Sequence, residues 1–550
     1  MPRFWKYPVF AYFAALVLAT AAAGVADLRA FSRGFVFAAV FFAAAEVFAA
    51  SFSFFGFDTT WARRLRRALL AACVFCAGIA YFYWRVPPNP RPDFPPTEVA
   101  FTGRIREVSE SARGNLYGVL TVEKCAFGFL EGAESWFMFA NPKRGEKTEM
   151  PSLKRGDVVR VRGSVKSVLE TEPSAWSGRL GADNSFNKYL SGRFVYFKTF
   201  AFPENVDVVE FSREKRLGDF LARHIKLALG ANLFSPYPAS AGTLESMFLG
   251  DKSSLTSSQK DNFRKTGTMH IFAVSGLHMS IVALALYGIC AVLCVPFKWR
   301  AAIALPVLFL YVAACQFPPS AVRAFIMVAA FWIAATFSRG SGGTNSLMWS
   351  AVVSLIVSPT SLFSAGFQLS YSVVAALFLY SFPVFSELES RFSASIAGGR
   401  FFGLRTKLFD AVVGGLCMAI GSACVAMPIS AYWFGTFSLS GVLLSPLFVA
   451  LATAAVFLAV LAVLLPWVAG GFFAFVASLF ARLTDYAAGI FADKFALMID
   501  AKIGSGVLCA CFVCLVLAGF AACSRLSIWL RFCAVPSIVL TVMVMIWIFA

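Results

Sequence analysis

Charged residues are few in this sequence. They make up 14% of 550 residues, where soluble globular chains carry roughly 25%. Histidine occurs three times, as His224, His270 and His278, so no clustered set of imidazoles is available for a hydrolytic metal centre. No Gly-x-x-x-x-Gly-Lys-Ser/Thr loop occurs, which excludes a built-in phosphate-loop motor. A disulfide framework is excluded too. Of 13 cysteines, Cys125 alone lies in the polar stretch 87–215, and the others lie in or beside apolar segments. Cys73 and Cys76 form a Cys-x-x-Cys pair, but inside an apolar segment, where they read as small buried residues rather than a redox or metal site. The sequence shows no internal repeat.

Apolar chain is abundant. Hydrophobic residues reach 59% and the mean hydropathy is +0.72, so the fold class is a polytopic α-helical membrane protein. Three apolar stretches open the chain, near 8–28, 34–56 and 67–85, each close to the ~20 residues that a bilayer core requires. Arg63, Arg64, Arg66 and Arg67 cluster between the second and third, which predicts a cytoplasmic loop and a cytoplasmic N-terminus. Residues 1–26 read as an uncleaved anchor rather than a signal peptide, because further spans follow at once. Counting across the third span puts the next domain outside. The net charge is +18, and part of it is this topological signal rather than a ligand site. Region 98–170 holds 12 basic and 10 acidic residues, so its net charge does not single out nucleic acid.

Residues 86–96, VPPNPRPDFPP, mark a boundary. EVAFTGRIREV, LYGVLTVEKC, SWFMFA and DVVRVRGSVKSV follow, with apolar and polar residues often alternating and with Gly, Asn and Pro between them. Short strands in a small space predict a compact barrel such as an OB-fold, with a β-sandwich as the alternative. The expected domains are therefore 1–86, N-terminal spans; 87–215, an extracytoplasmic OB-like β domain; 216–268, amphipathic or interfacial helices; and 269–550, a membrane bundle. Further apolar segments lie near 269–296, 301–316, 318–337, 345–382, 408–434, 439–468, 502–523 and 527–550. Residues 383–407 are polar and read as cytoplasmic. Residues 470–500 alternate aromatics with Arg482, Asp485, Asp493 and Lys494 and could lie in the interface rather than span. In 216–234, Arg223, His224 and Lys226 interleave with apolar positions at helical spacing. The chain ends in apolar sequence, so no soluble C-terminal domain is expected.

Polar groups at membrane depth are costly and tend to face a bundle interior or a hydrated cavity. Several stand in order in the second half: Leu249-Gly250-Asp251, then Thr266-Gly267-x-x-His270-x-x-Ala273-Val274-Ser275-Gly276-Leu277-His278, then Pro318-Pro319-Ser320-Ala321-Val322-Arg323-Ala324, Asn345, Ser358-Pro359 and Gly366-Phe367-Gln368-Leu369-Ser370-Tyr371. His270 and His278 are eight apart, a little over two helical turns, so they share roughly one face, where they could line a path or bond across helices. Arg323 follows a Pro-Pro-Ser helix start, where it could contact phosphate or pair with Asp251.

This ordered series resembles the ComEC competence-channel family, membrane proteins that take transforming DNA into bacteria as a single strand. Residues 273–278 are its most specific part. Gly156-Asp157-Val158-Val159-Arg160-Val161-Arg162-Gly163 looks like the closing strands of that family's OB-like domain, and Asn184–Leu190 like the segment after it. The likeness covers about 90–450. It implies an inner-membrane channel for single-stranded DNA, with no enzymatic activity, cofactor or metal of its own. The path residues it implies are Asp251, Gly267, His270, Ser275, Gly276, His278, Arg323, Asn345, Gln368 and Ser370. Trp136, Lys143, Arg144, Arg160 and Arg162 would be contacts on the β domain, where aromatics stack on bases and cations meet phosphates. Implied partners are the lipid bilayer, a surface DNA receptor, a cytoplasmic motor ATPase and a separate nuclease; an oligomer is compatible with it. Two departures stand out. Many family members carry a C-terminal metallo-β-lactamase-like domain, whose His-x-His-x-Asp-His type of cluster is missing here. The family's Asn in the helix matching 438–450 is also missing, with Ser445 as the nearest substitute. Two other classes stay open: an intramembrane enzyme using Asp251, Ser275, His270 and His278 on a lipid-linked substrate, and a transporter of another anionic solute.

Overall fold

In LYGVLTVEKC, side chains alternate between the two faces of a strand, and such segments pair to bury one face. A computed structural model describes residues 60–85, 97–110, 115–140, 156–168, 195–211, 216–230, 238–336, 343–396, 409–495 and 497–500, with isolated positions at 15–20, 22, 38–39, 153, 190 and 406. The opening segments 8–28 and 34–56, the proline-rich boundary, Lys143, Arg144, most of Asn184–Leu190 and everything after 500 lie mostly or wholly outside these residues. The chain divides into two compact units, Met1–Lys215 with Asn345–Phe367, and Arg216–Thr344 with Gln368–Ala550.

The first unit carries helix α1 (Thr60–Arg85) and strands β1 (Thr97–Glu110), β2 (Leu116–Cys125), β3 (Glu134–Phe139), β4 (Val158–Ser167), β5 (Phe197–Ala201) and β6 (Val206–Glu210). Strand order is β1-β2-β3-β5-β4, and β1 pairs back with β4, so five strands close into a barrel, with β6 added beside β4. The β3–β5 pairing is parallel and the other pairings are antiparallel. This is an OB-like barrel. Its core takes Phe101, Ile105, Leu120, Phe137, Phe139, Val159, Val161 and Phe197. Trp136 points the other way and packs with Val119, Val168, Leu190 and Val195. The fifth strand, FKTFA, has no sequence signature of its own beyond its aromatics; pairing with β3 and β4 defines it. The same unit holds much of α8 (Gly343–Val357) and the 3-10 turn Pro359–Phe363. Tyr81 Oη donates to the Ile356 carbonyl, joining α1 to α8.

The second unit is helical. Its elements are α2 (Arg216–Gly230), α3 (Pro238–Leu249), α4 (Ser257–Lys265), α5 (Gly276–Val292), α6 (Phe297–Ala314), α7 (Pro319–Thr336), α9 (Ala365–Ala376, from Gln368 on), α10 (Phe382–Ile396), α11 (Gly415–Phe434), α12 (Ser440–Leu464) and α13 (Pro466–Lys494). Short strands β7 (Thr436–Ser438) and β8 (Met498–Asp500) pair antiparallel. π-Helical turns Leu377–Ser381 and Asp410–Gly414 lead into α10 and α11. A single apolar core runs through α3, α5, α6, α7, α12 and α13, lined heavily by alanine where helices approach closely.

Among the described residues, six helices are long and apolar enough to cross a membrane, and this is a multi-pass membrane protein. The expected segment 345–382 is broken by the turn Pro359–Phe363. Residues 470–500 depart from the interfacial expectation. Gly470–Lys494 is continuous helix within α13, with the length and hydropathy of a span.

Candidate functional site

The ordered polar series folds into a chain of turns rather than a helix. α3 stops at Leu249 because Gly250 takes a left-handed φ of 78°; a Cβ there would come 2.8 Å from Val274 Cγ2. That contact brings the Gly250–Asp251 turn against the 273–275 stretch. Lys226 Nζ reaches Asp251 Oδ2 at 2.9 Å, and Ser246 Oγ donates to the Asp251 carbonyl at 2.7 Å. α4 then opens on a capping box between Thr256 and Gln259. Thr266 and Thr268, both fully buried, bond through their hydroxyls at 2.8 Å. Between them Gly267 has φ 72°, and a Cβ there would sit 2.6 Å from Ser438 Oγ and 3.1 Å from Gly441 Cα. Glycine is therefore required twice over, by backbone and by space.

His270 lies in the 3-10 turn Met269–Phe272, with Nδ1 3.2 Å from the Gly267 carbonyl. Ala273 and Ser275 are extended, and α5 starts afresh at Gly276 with Ser275 as N-cap. The two histidines thus do not share a helix, contrary to the spacing argument, because the cap interrupts the ladder. The Ser275 N–H donates to His278 Nδ1 at 3.3 Å, and Ser275 Oγ lies 2.9 Å from the same nitrogen. Nδ1 is thereby an acceptor, so a neutral ring carries its proton on Nε2. That atom is buried with no hydrogen-bond partner among the described residues.

Accessibility divides this stretch cleanly. Ile271, Phe272, Val274, His278 and Met279 are buried, while His270, Ala273, Gly276, Leu277 and Ser280 are exposed. Gly276, Leu277 and Ser280 share one side of the first coil of α5, and His270 and Ala273 are exposed in the turn just before it. Gly276 meets α7 at Ala324, whose Cβ lies 4.0 Å from a built Cβ. The neighbouring Arg323 is 5% exposed, with its guanidinium 5.5 Å from the Tyr371 ring centre on α9. The turns, α5, α7 and α9 are therefore brought together through Gly276 with Ala324 and Arg323 with Tyr371.

Other expected residues sit elsewhere. Gln368 Oε1 accepts from Trp433 Nε1 at 2.9 Å, which joins α9 to α11. Ser370 is half-buried on α9. Asn345 belongs to the first unit, on α8, with Oδ1 buried and no hydrogen-bond partner among the described residues. Ser445, the stand-in for the family's Asn, bonds back to the Gly441 carbonyl within its own helix. Arg160 and Arg162 are exposed on β4. Trp136 is 8% exposed and lies edge-on to Phe200 at 6.0 Å, so its ring is used in packing rather than open for a base. Phe137 and Phe139 are fully buried. Ser438 and Trp433 carry no sequence signal for these contacts, and Lys226 is marked in the sequence only by its place on the amphipathic pattern of 216–234.

The family described as Competence protein matches residues 247–528, just over half of the chain and all of the turns above. The chain belongs to the competence protein family. ComE operon protein 3 of Bacillus subtilis (strain 168) is 25% identical over 313 residues, which cover 56% of this chain and 35% of that relative. The chain thus spans about a third of the length of this relative. No solved structure matches.

Proposed function

We propose that this competence-family protein passes DNA as a single strand across the inner membrane, and that the face formed by His270, Ala273, Gly276, Leu277 and Ser280 borders the path. The observation that carries this is the irregular backbone at 266–275 beside an accessible face. Non-regular backbone at membrane depth is tolerated where it lines water. Asp251, Gly267 and Ser275 hold the turns, and Arg323 is buried on α7 next to Ala324, which meets Gly276. The N-terminus is cytoplasmic and the barrel extracytoplasmic, where exposed Arg160 and Arg162 meet phosphates. A surface receptor, a motor ATPase and a nuclease are separate proteins. Ser280→Trp, which fills the accessible face, should reduce uptake of labelled DNA to background while surface binding and protein level stay normal. Unchanged uptake would contradict the assignment.

A second reading is favoured by one contact, Ser275 Oγ on His278 Nδ1 at 2.9 Å, the geometry of a nucleophile and base. The same Nδ1 also takes the Ser275 N–H, as a helix cap does. No acid orients Nε2 among the described residues. The cap explains the contact without a reaction. Turnover of a lipid-linked substrate by purified protein, abolished by Ser275→Ala, would reverse that judgement.

A further inference from the structure

We propose that Asp485 is a proton-binding site of the helical unit, with its carboxyl gripped by Thr243 and Gln259 and its proton carried on Oδ1. Asp485 lies on α13 within the span-length stretch Gly470–Lys494. By the rise of an α-helix it sits about 14 Å from the Lys494 end of that stretch. Thr243 Oγ1 donates to Asp485 Oδ2 at 2.6 Å across 242 residues of sequence. Gln259 Nε2 donates to the same oxygen at 3.1 Å and to Thr243 Oγ1 at 3.1 Å. The orientation of the Gln259 amide is set independently, because its Oε1 accepts the Thr256 N–H at 3.0 Å in the cap of α4. Nε2 therefore has to face the carboxyl. The second oxygen, Oδ1, is buried with no hydrogen-bond partner among the described residues.

Charge around the site has been assigned to other partners. α12 has no ionisable residue. On α3, Glu245 turns to Lys226 and Ser254. On α4, Asp261 pairs with Lys265 at 2.8 Å, while Lys260 and Arg264 make no ion pair with Asp485. On α2, Lys226 is held by Asp251, and Arg223 and His224 are exposed. On α13 itself, Arg482, Tyr486, Asp493 and Lys494 are exposed. No described cation lies within ion-pair distance of Asp485. An ionised carboxylate would leave half its charge on a sealed oxygen with no donor, an expensive state in apolar surroundings. One proton from water on Oδ1 removes that charge and leaves both observed hydrogen bonds in place. The cluster is separate from the 266–278 turns and does not depend on what passes them.

The test is infrared difference spectroscopy on the full chain in lipid nanodiscs, between acid and alkaline pH. The intact protein should show the carbonyl stretch of a protonated carboxylic acid, absent in Asp485→Asn. Gln259→Leu and Thr243→Val each remove one donor to Oδ2 but keep the acid, and should move that band to higher frequency. A band that survives in Asp485→Asn overturns the assignment, as does a band unmoved in both donor variants. If Asp485→Asn fails to accumulate, the two donor variants decide the matter alone.

Discussion

At position 278 the start of a helix decides what an imidazole can do. His278 sits at N3 of α5 and exchanges contacts with Ser275 across the cap. Loss of such a cap costs about 1 kcal/mol, and Asn caps about as well as Ser. Ser275→Ala should therefore lower thermal stability by about that amount, while Ser275→Asn keeps both stability and DNA uptake. Retained stability with lost uptake in Ser275→Asn would mean that the hydroxyl itself acts. Lys198, which pairs with Trp136 on one side and Lys166 on the other, carries a pH signature. Burial, and secondarily the charge of Lys166, lower its pKa from the usual 10.5. Between the lowered value and 10.5 the unfolded chain binds more protons on this amine than the barrel does. Stability therefore rises with pH through that window, and acidification removes the gain. Lys198→Met should flatten this dependence and stabilise the barrel near neutral pH, measured by proteolysis of the full chain in urea; an unchanged pH profile would contradict it.

Among elements, α9 with its π-turn and α10 runs antiparallel to the π-turn and α11. Gln368 meets Trp433, Gly421 meets Ser381, Gly414 meets Phe385, and Phe409 stacks on Phe392 at 4.0 Å, so the partner numbers fall as these rise. The tightest point is Gly421, where an added Cβ would lie 2.0 Å from Ser381 Oγ. That hydroxyl is buried and has no hydrogen-bond partner among the described residues. Gly421→Ala should destabilise this helix pair by about 1–3 kcal/mol, the usual cost of overpacking. Adding Ser381→Gly should recover most of it, a non-additive pair in a double-mutant cycle. Additive losses would show that the two helices do not cross there. None of this register could be read in the sequence, since a Gly and a Ser forty residues apart signal nothing until the helices meet.

Across the whole molecule, local pattern was the legible part. Alternation gave four strands of the barrel, hydropathy gave most of the spans, and the 249–278 series marked the stretch that the family match includes. What long-range contact decides stayed hidden. FKTFA becomes a strand through its partners, Trp136 is covered by residues such as Leu190 and Val195, and Asp485 is met by Thr243 from a helix far upstream. The histidine spacing misled because the Ser275 cap breaks the helix between the pair. The most direct test of the central claim is cysteine accessibility in a background with the 13 native cysteines replaced. Ala273→Cys, Leu277→Cys and, as a buried control, Met279→Cys would be treated with a membrane-impermeant thiol reagent, with and without single-stranded DNA. A hydrated path predicts labelling at 273 and 277, protection by DNA, and silence at 279. No labelling at 273 and 277, or labelling that DNA does not affect, would contradict it.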